Sequence, residues 1–137
     1  MRFRTGVILL RVRDFPRMLA FYRDTLGLPV DAVDPGGTYR PLVDWVKFAL
    51  EPTALELIAE SRAKSPVDLP YPRANALWVA LKVDDLFEAY RVLGERGVQF
   101  TRPIGEEDWG WYAHFKDPEG NRLQIYQNKP RFEQPAY

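Results

Sequence analysis

The sequence predicts an α+β fold in which two tandem β-α-β-β-β modules form a curved mixed sheet around a cleft, and three observations carry that prediction. Short runs of β-branched and aliphatic residues bounded by turn residues alternate with only two stretches of helical periodicity. The same order of elements occurs twice. The anchors of the two copies also keep a nearly constant spacing: Leu10-x-Val12-x-Asp14 recurs as Leu81-x-Val83-x-Asp85 at 71, and Gly27 as Gly97 at 70. Trp45 and Glu51-Pro52 match Trp111 and Asp117-Pro118 at 66, after which a second hairpin two residues longer places Glu56 opposite Gln124 at 68. A duplicated module explains this economically.

Thr5 to Val12 reads as a mostly buried strand. Asp14 then caps a helix with Pro16 in its first turn, and Phe15, Met18, Leu19, Phe21, Tyr22 and Leu26 recur at helical spacing before Gly27 ends it. Pro29 to Val33 reads as a short strand, Asp34 to Gly37 as a turn, and Trp45 to Leu50 as a strand that turns at Glu51-Pro52-Thr53 into Ala54 to Glu60. Residues 1–60 thus form the first module. Residues 61–75 carry three prolines and no sustained periodicity, which suits a linker. The second module, 76–128, repeats the order. It has a strand at Ala76 to Val83, a helix capped by Asp84-Asp85 and ended by Gly97, and strands at Val98 to Arg102, Trp111 to Lys116 and Arg122 to Gln127. Residues 129–137 are left as a tail on what is one compact domain overall.

Composition narrows the chemistry. The 137 residues are 46% hydrophobic, 14% aromatic and 28% charged, as in a folded globular chain. Nineteen basic residues balance nineteen acidic ones, so no net field draws the chain to nucleic acid or to an anionic membrane. No apolar run approaches the ~20 residues that cross a bilayer, and a cytoplasmic location is the default expectation. Cysteine is absent, which excludes disulfides, thiolate nucleophiles and iron–sulfur clusters. The single histidine, His114, excludes a site with several imidazoles from one chain. No Gly-rich phosphate loop and no Ser/His/Asp set is present.

Leu10-Arg11-Val12-x-Asp14, Ala20-Phe21-Tyr22-x-x-Thr25-Leu26-Gly27-Leu28, Leu55-Glu56-Leu57 and Phe115-x-Asp117-Pro118-x-Gly120-Asn121 follow one another in this chain. In that order and spacing they resemble the vicinal oxygen chelate superfamily, which includes glyoxalase I, extradiol dioxygenases, fosfomycin-modifying enzymes and bleomycin-binding resistance proteins. The resemblance implies metal ligands on the first and last strands of both modules, typically two histidines and two glutamates. At the matching positions stand Val7, Trp78, Glu56 and Gln124. Neither Val7 nor Trp78 offers a donor, and zinc or dioxygenase-type iron wants at least three.

Strand alternation indicates what replaces the metal. The ligand face implied by the resemblance carries Val7, Leu9, Ala54, Glu56, Ile58, Trp78, Ala80, Gln124 and Tyr126, while the opposite face is almost purely aliphatic and suits cover by the helices. Apolar and aromatic walls with a few polar groups are what a ligand pocket needs. Each residue also has a plainer reading. Glu56 is either a wet carboxylate paired with an arginine such as Arg11 or a ligand-contacting base; Trp78 either fills the vacated metal space or stacks on a planar ligand. His114 is either structural or part of the site, Trp111 reads as core, and Trp109 as an aromatic lip.

The function expected is metal-independent binding of a small apolar or aromatic molecule in a cavity between modules, with no cofactor, in the manner of bleomycin-binding relatives. From those relatives comes the expectation of a homodimer. The alternatives are a glyoxalase-type lyase or isomerase, or a dioxygenase, with an atypical divalent metal held by Glu56, Gln124 and His114, and a ligand-free structural or regulatory module. Nucleic acid and membranes are not expected partners. A neutral chain also argues against a strongly cationic ligand such as bleomycin itself.

Overall fold

The computed structural model describes residues 1–2, 7–31, 40–59 and 78–132. The chain divides into two compact units, Met1–Asp68 and Leu69–Tyr137. The expected turn at Asp34–Gly37 and the linker 61–75 lie outside the described residues.

In the first unit, β1 (Val7–Val12) runs parallel to β3 (Thr53–Ala59), which pairs antiparallel with β2 (Trp45–Leu50), giving the order β1-β3-β2. Asp14 caps α1 (Phe15–Leu19) as expected, its carboxylate accepting from the Arg17 N–H at 3.2 Å. The helix continues as a π-helical segment, Ala20–Thr25, instead of staying α throughout, with the Leu26 N–H reaching the Phe21 carbonyl. Phe15, Met18, Leu19 and Tyr22 are buried, and α1 packs against β3. Gly27 ends the element at φ 75, a conformation that costs glycine little. Of the strand expected at Pro29 to Val33, the described residues 29–31 make one bridge, Val30 to Phe48, flanked by the Asp31 N–H on the Lys47 carbonyl and the Ala49 N–H on the Pro29 carbonyl, and the rest lies outside the described residues.

The second unit orders its strands β4-β7-β6-β5: β4 (Trp78–Lys82), β5 (Gly105–Glu107), β6 (Gly110–Lys116) and β7 (Arg122–Asn128). Asp85 caps α2 (Leu86–Glu95) by accepting from the Glu88 N–H. The Leu86 N–H is taken by the Gln127 side chain, which ties the helix start to β7. One expected strand is corrected. Val98 to Arg102 is no strand but a single bridge, Phe100 to Phe115, because Pro103 has no N–H to extend the ladder. The edge place is taken instead by β5, joined to β6 through the two-residue turn Asp108-Trp109. Between β6 and β7, the buried Asp117 carboxylate accepts from the Glu119 and Asn121 N–H groups at 2.9 Å and from the Asn121 amide at 2.7 Å.

The pairings correct the alignment of the repeat as well. Val7 pairs with Ala54 as Trp78 pairs with Arg122, and Lys47 pairs with Glu56 as His114 pairs with Gln124. Lys47 therefore corresponds to His114, and Trp45 to Tyr112, at 67; the spacing of 66 that matched Trp45 with Trp111 is one residue out. Such a slip moves a side chain to the other side of the sheet. The β6–β7 turn is then longer than its counterpart by one residue, not two. In both units the face against the helix holds the core: Val12, Val46, Phe48, Leu55 and Leu57 in the first, Val79, Ala113, Phe115, Leu123 and Ile125 in the second.

Candidate functional site

Each sheet has a second face, turned away from its helix and open in part: the open face. In the first unit, register rows across that face read Val7–Ala54–Ala49, Leu9–Glu56–Lys47 and Arg11–Ile58–Trp45. Val7 and Leu9 are about half exposed, at 48% and 51%, whereas Ile58 and its neighbour Trp45 are buried. Glu56 thus lies between an apolar side chain and a lysine. Lys47 Nζ also stands 3.7 Å from the Asp31 carboxylate. Val7, Asp31, Lys47, Ala49, Ala54 and the Leu50–Thr53 turn border a shallow depression of about 330 Å³.

The second unit presents the rows Trp78–Arg122–Lys116, Ala80–Gln124–His114 and Lys82–Tyr126–Tyr112–Gly105. Rings run across it without a gap. Trp78 lies 4.5 Å from His114, His114 5.1 Å from Tyr112, and Tyr112 stacks on Trp109 at 5.7 Å, which meets Tyr126 edge-on at 6.1 Å. The Arg122 guanidinium sits 4.9 Å from the Trp78 ring centre, and that of Arg102 lies 5.2 Å from the Tyr112 ring centre. Near the middle, His114 Nε2 and Gln124 Oε1 are 2.7 Å apart, so that the ring donates to the amide in the tautomer protonated at Nε2. Trp78 remains 39% exposed.

One contact shapes this surface. A Cβ at Gly105 would stand 2.4 Å from the Tyr112 ring, so the ring lies across Gly105 where no other residue would admit it. On the reverse face Trp111 meets Phe87 of α2 edge-on but stays half-buried, outside the core in which it was expected. There the Lys129 ammonium, 2.9 Å from Glu106, holds that carboxyl below its ordinary range by hydrogen bonding.

Of the residues expected at the site, Val7, Leu9, Glu56 and Ile58 share the open face of the first unit, and Trp78, Ala80, Gln124, Tyr126 and His114 share that of the second, with Trp109 stacked against it. Tyr112, Arg122, Lys116 and Arg102 were not singled out. The signal for Tyr112, Lys116 and Arg122 lies in the strands already read, since each is two residues from His114 or Gln124.

The divalent site implied by the family resemblance does not fit these residues. Val7 and Trp78 supply no donor, Gln124 Oε1 is hydrogen-bonded to His114, and a guanidinium lies over the Trp78 ring. Among the described residues no three His, Asp or Glu side chains gather closely enough to hold a metal ion. No helix among them is long and apolar enough to cross a membrane.

Residues 4–125 match the family model described as Glyoxalase/Bleomycin resistance protein/Dioxygenase superfamily. The Bacillus subtilis protein YraH is 31% identical over 121 residues, covering 87% of this chain and 94% of its own length. Lactoylglutathione lyase of Salmonella typhimurium is 28% identical over 124 residues, covering 88% and 90%. Among solved structures, TnmS3, an antibiotic binding protein from Streptomyces sp. CB03234, superposes with a TM-score of 0.69 at 27% identity over 94% of this chain and 99% of its own.

Proposed function

The chain belongs to the glyoxalase/bleomycin resistance protein/dioxygenase superfamily, and on that footing we propose that it is a metal-independent binding protein for a small planar molecule, aromatic or apolar, received on the open face of the second unit. The observation that carries this reading is the continuous row Trp78, His114, Tyr112 and Trp109 on an accessible sheet face. Rings are ordinarily turned inward, and here Trp78 is 39% exposed while His114, Tyr112 and Trp109 are half-buried, so that their free edges and faces form a surface another flat group can cover. The likeness to an antibiotic binding protein supports binding over turnover. The donor set does the same, because Val7 and Trp78 leave only Glu56 and Gln124 as donors at the family's four ligand positions. The proposal includes a homodimer, in which half-exposed Val7, Leu9 and Phe87 give a partner apolar area to cover.

Tryptophan fluorescence tests it. Planar two-ring compounds are titrated into wild type, Trp78→Phe and Trp78→Ala; saturable quenching is expected in wild type, and Trp78→Ala weakens binding by about 1–3 kcal/mol. A panel that leaves wild-type fluorescence and melting temperature unmoved would overturn the reading in favour of a ligand-free module.

A further inference from the structure

We infer that the ligand of this face is a planar anion, an aromatic carboxylate or a group of like charge; the inference rests on the binding function proposed above and adds the ligand's charge. The three rows of the open face contain Arg122, Lys116 and Lys82 and no aspartate or glutamate, and Arg102 lies over Tyr112. A chain with zero formal net charge has therefore gathered four cations around one strip of rings.

Their arrangement costs stability. Arg122 and Lys116 are directly opposite on antiparallel strands, a pairing that repels. A cation–π contact with Trp78 holds Arg122 in place without cancelling its charge. Local conflict of this kind, in a sheet whose other face is well packed, marks a surface adapted to something other than folding. An anion between the two side chains converts the repulsion into two charge-assisted hydrogen bonds, and a guanidinium can take a carboxylate in bidentate fashion. The geometry matches an aromatic acid. Arg122 and Lys116 are each one row, about 7 Å, along their strands from Gln124 and His114. A flat group resting on Trp78 and His114 thus reaches the cation pair with a substituent at its edge. The same arrangement opposes cationic ligands.

The test compares two probes of equal shape, 2-naphthoate and 2-naphthamide, by isothermal titration calorimetry on wild type, Arg122→Gln, Lys116→Gln, Trp78→Ala and, as a control on α2, Arg91→Gln. Naphthoate should bind about tenfold more tightly than the amide to wild type, the ratio of one charge-assisted pairing. That preference should fall towards one in Arg122→Gln and Lys116→Gln, weaken as salt rises and persist in Arg91→Gln. Equal affinity for both probes in wild type, with Trp78→Ala weakening each, would overturn the inference and leave the planar-ligand function standing. Binding of neither probe would overturn both.

Discussion

Gly105 and Gly110 bracket the β5–β6 hairpin, and replacing each by alanine should separate the site from the scaffold. At Gly110 the new Cβ would meet the Gln127 carbonyl oxygen at 2.1 Å and two further backbone atoms at 3.0 Å. Backbone cannot rotate away, so β6 and β7 must part by more than ~1 Å at the Gly110–Asn128 pair. Overpacking of this kind costs about 1–3 kcal/mol, and a weakened ladder bond adds ~1 kcal/mol. The better strand propensity of alanine returns ~0.5–1 kcal/mol, and a net loss of about 1–3.5 kcal/mol is expected. At Gly105 the atoms met are Cζ, Cε2 and the hydroxyl of Tyr112, the outer end of a side chain that can swing. The cost there is the stacking on Trp109, worth ~0.5–1.5 kcal/mol, so stability should change by less than about 1 kcal/mol. Binding is another matter, because the displaced ring leaves the row. Urea denaturation followed by circular dichroism gives the two stabilities, and naphthoate titration gives the affinities; Gly105→Ala should be nearly as stable as wild type yet bind several-fold more weakly. A Gly105→Ala protein that is destabilised as much as Gly110→Ala, or that binds unchanged, would refute the reasoning.

Phe115, at 1% exposed, and Trp78, at 39%, should differ in the same sense: Phe115→Ala costs about 3–5 kcal/mol and Trp78→Ala clearly less, by urea midpoint. Zinc, nickel, manganese or iron(II) should leave the melting temperature unchanged, as should chelator, whereas a metal-dependent rise abolished in Glu56→Ala would restore the lyase-type alternative. On α2 the Arg91 guanidinium hydrogen-bonds Glu88 and holds its carboxyl below the ordinary 4.5. A depressed carboxyl stabilises above its unfolded value, so any advantage of wild type over Arg91→Gln should be present at neutral pH and vanish as pH falls below 4.5 through the folded value. Light scattering should give twice the 15.9 kDa chain mass in the micromolar range, and a monomer there would remove the homodimer from the proposal.

What was legible in the sequence was written locally. Asp14 and Asp85 announce helix starts through their own carboxylates, and Gly27 and Gly97 announce the ends because only glycine enters that conformation cheaply. Alternation told which residues share a face, which is why Trp78 and Gln124 were placed together. Register is not local. β5 has no β-branched residue and owes its existence to the ladder that β6 offers, so nothing in Gly105-Glu106-Glu107 marks a strand. The Trp45–Trp111 match failed for the same reason: two tryptophans look alike in a sequence but face opposite ways when the pairing is one residue removed. His114 could be assigned to the open face only once its row with Gln124 and Ala80 was known.

Aligned through their pairing, the two modules also reveal how the molecule divides its inheritance. On the covered side the copies still agree: Leu10 with Leu81, Val12 with Val83, Phe48 with Phe115, Leu55 with Leu123, Leu57 with Ile125. On the open side no position retains its residue: Val7 has become or arisen from Trp78, Ala54 Arg122, Lys47 His114, Glu56 Gln124 and Ile58 Tyr126. The helix-side core is made by the other side of each sheet, so the exposed positions on the open side, such as Val7, Trp78 and Ala80, can change without altering it. A duplicated module of this design can explore new ligands with one copy while the other keeps its character, and recognition can drift far without the scaffold having to be invented again.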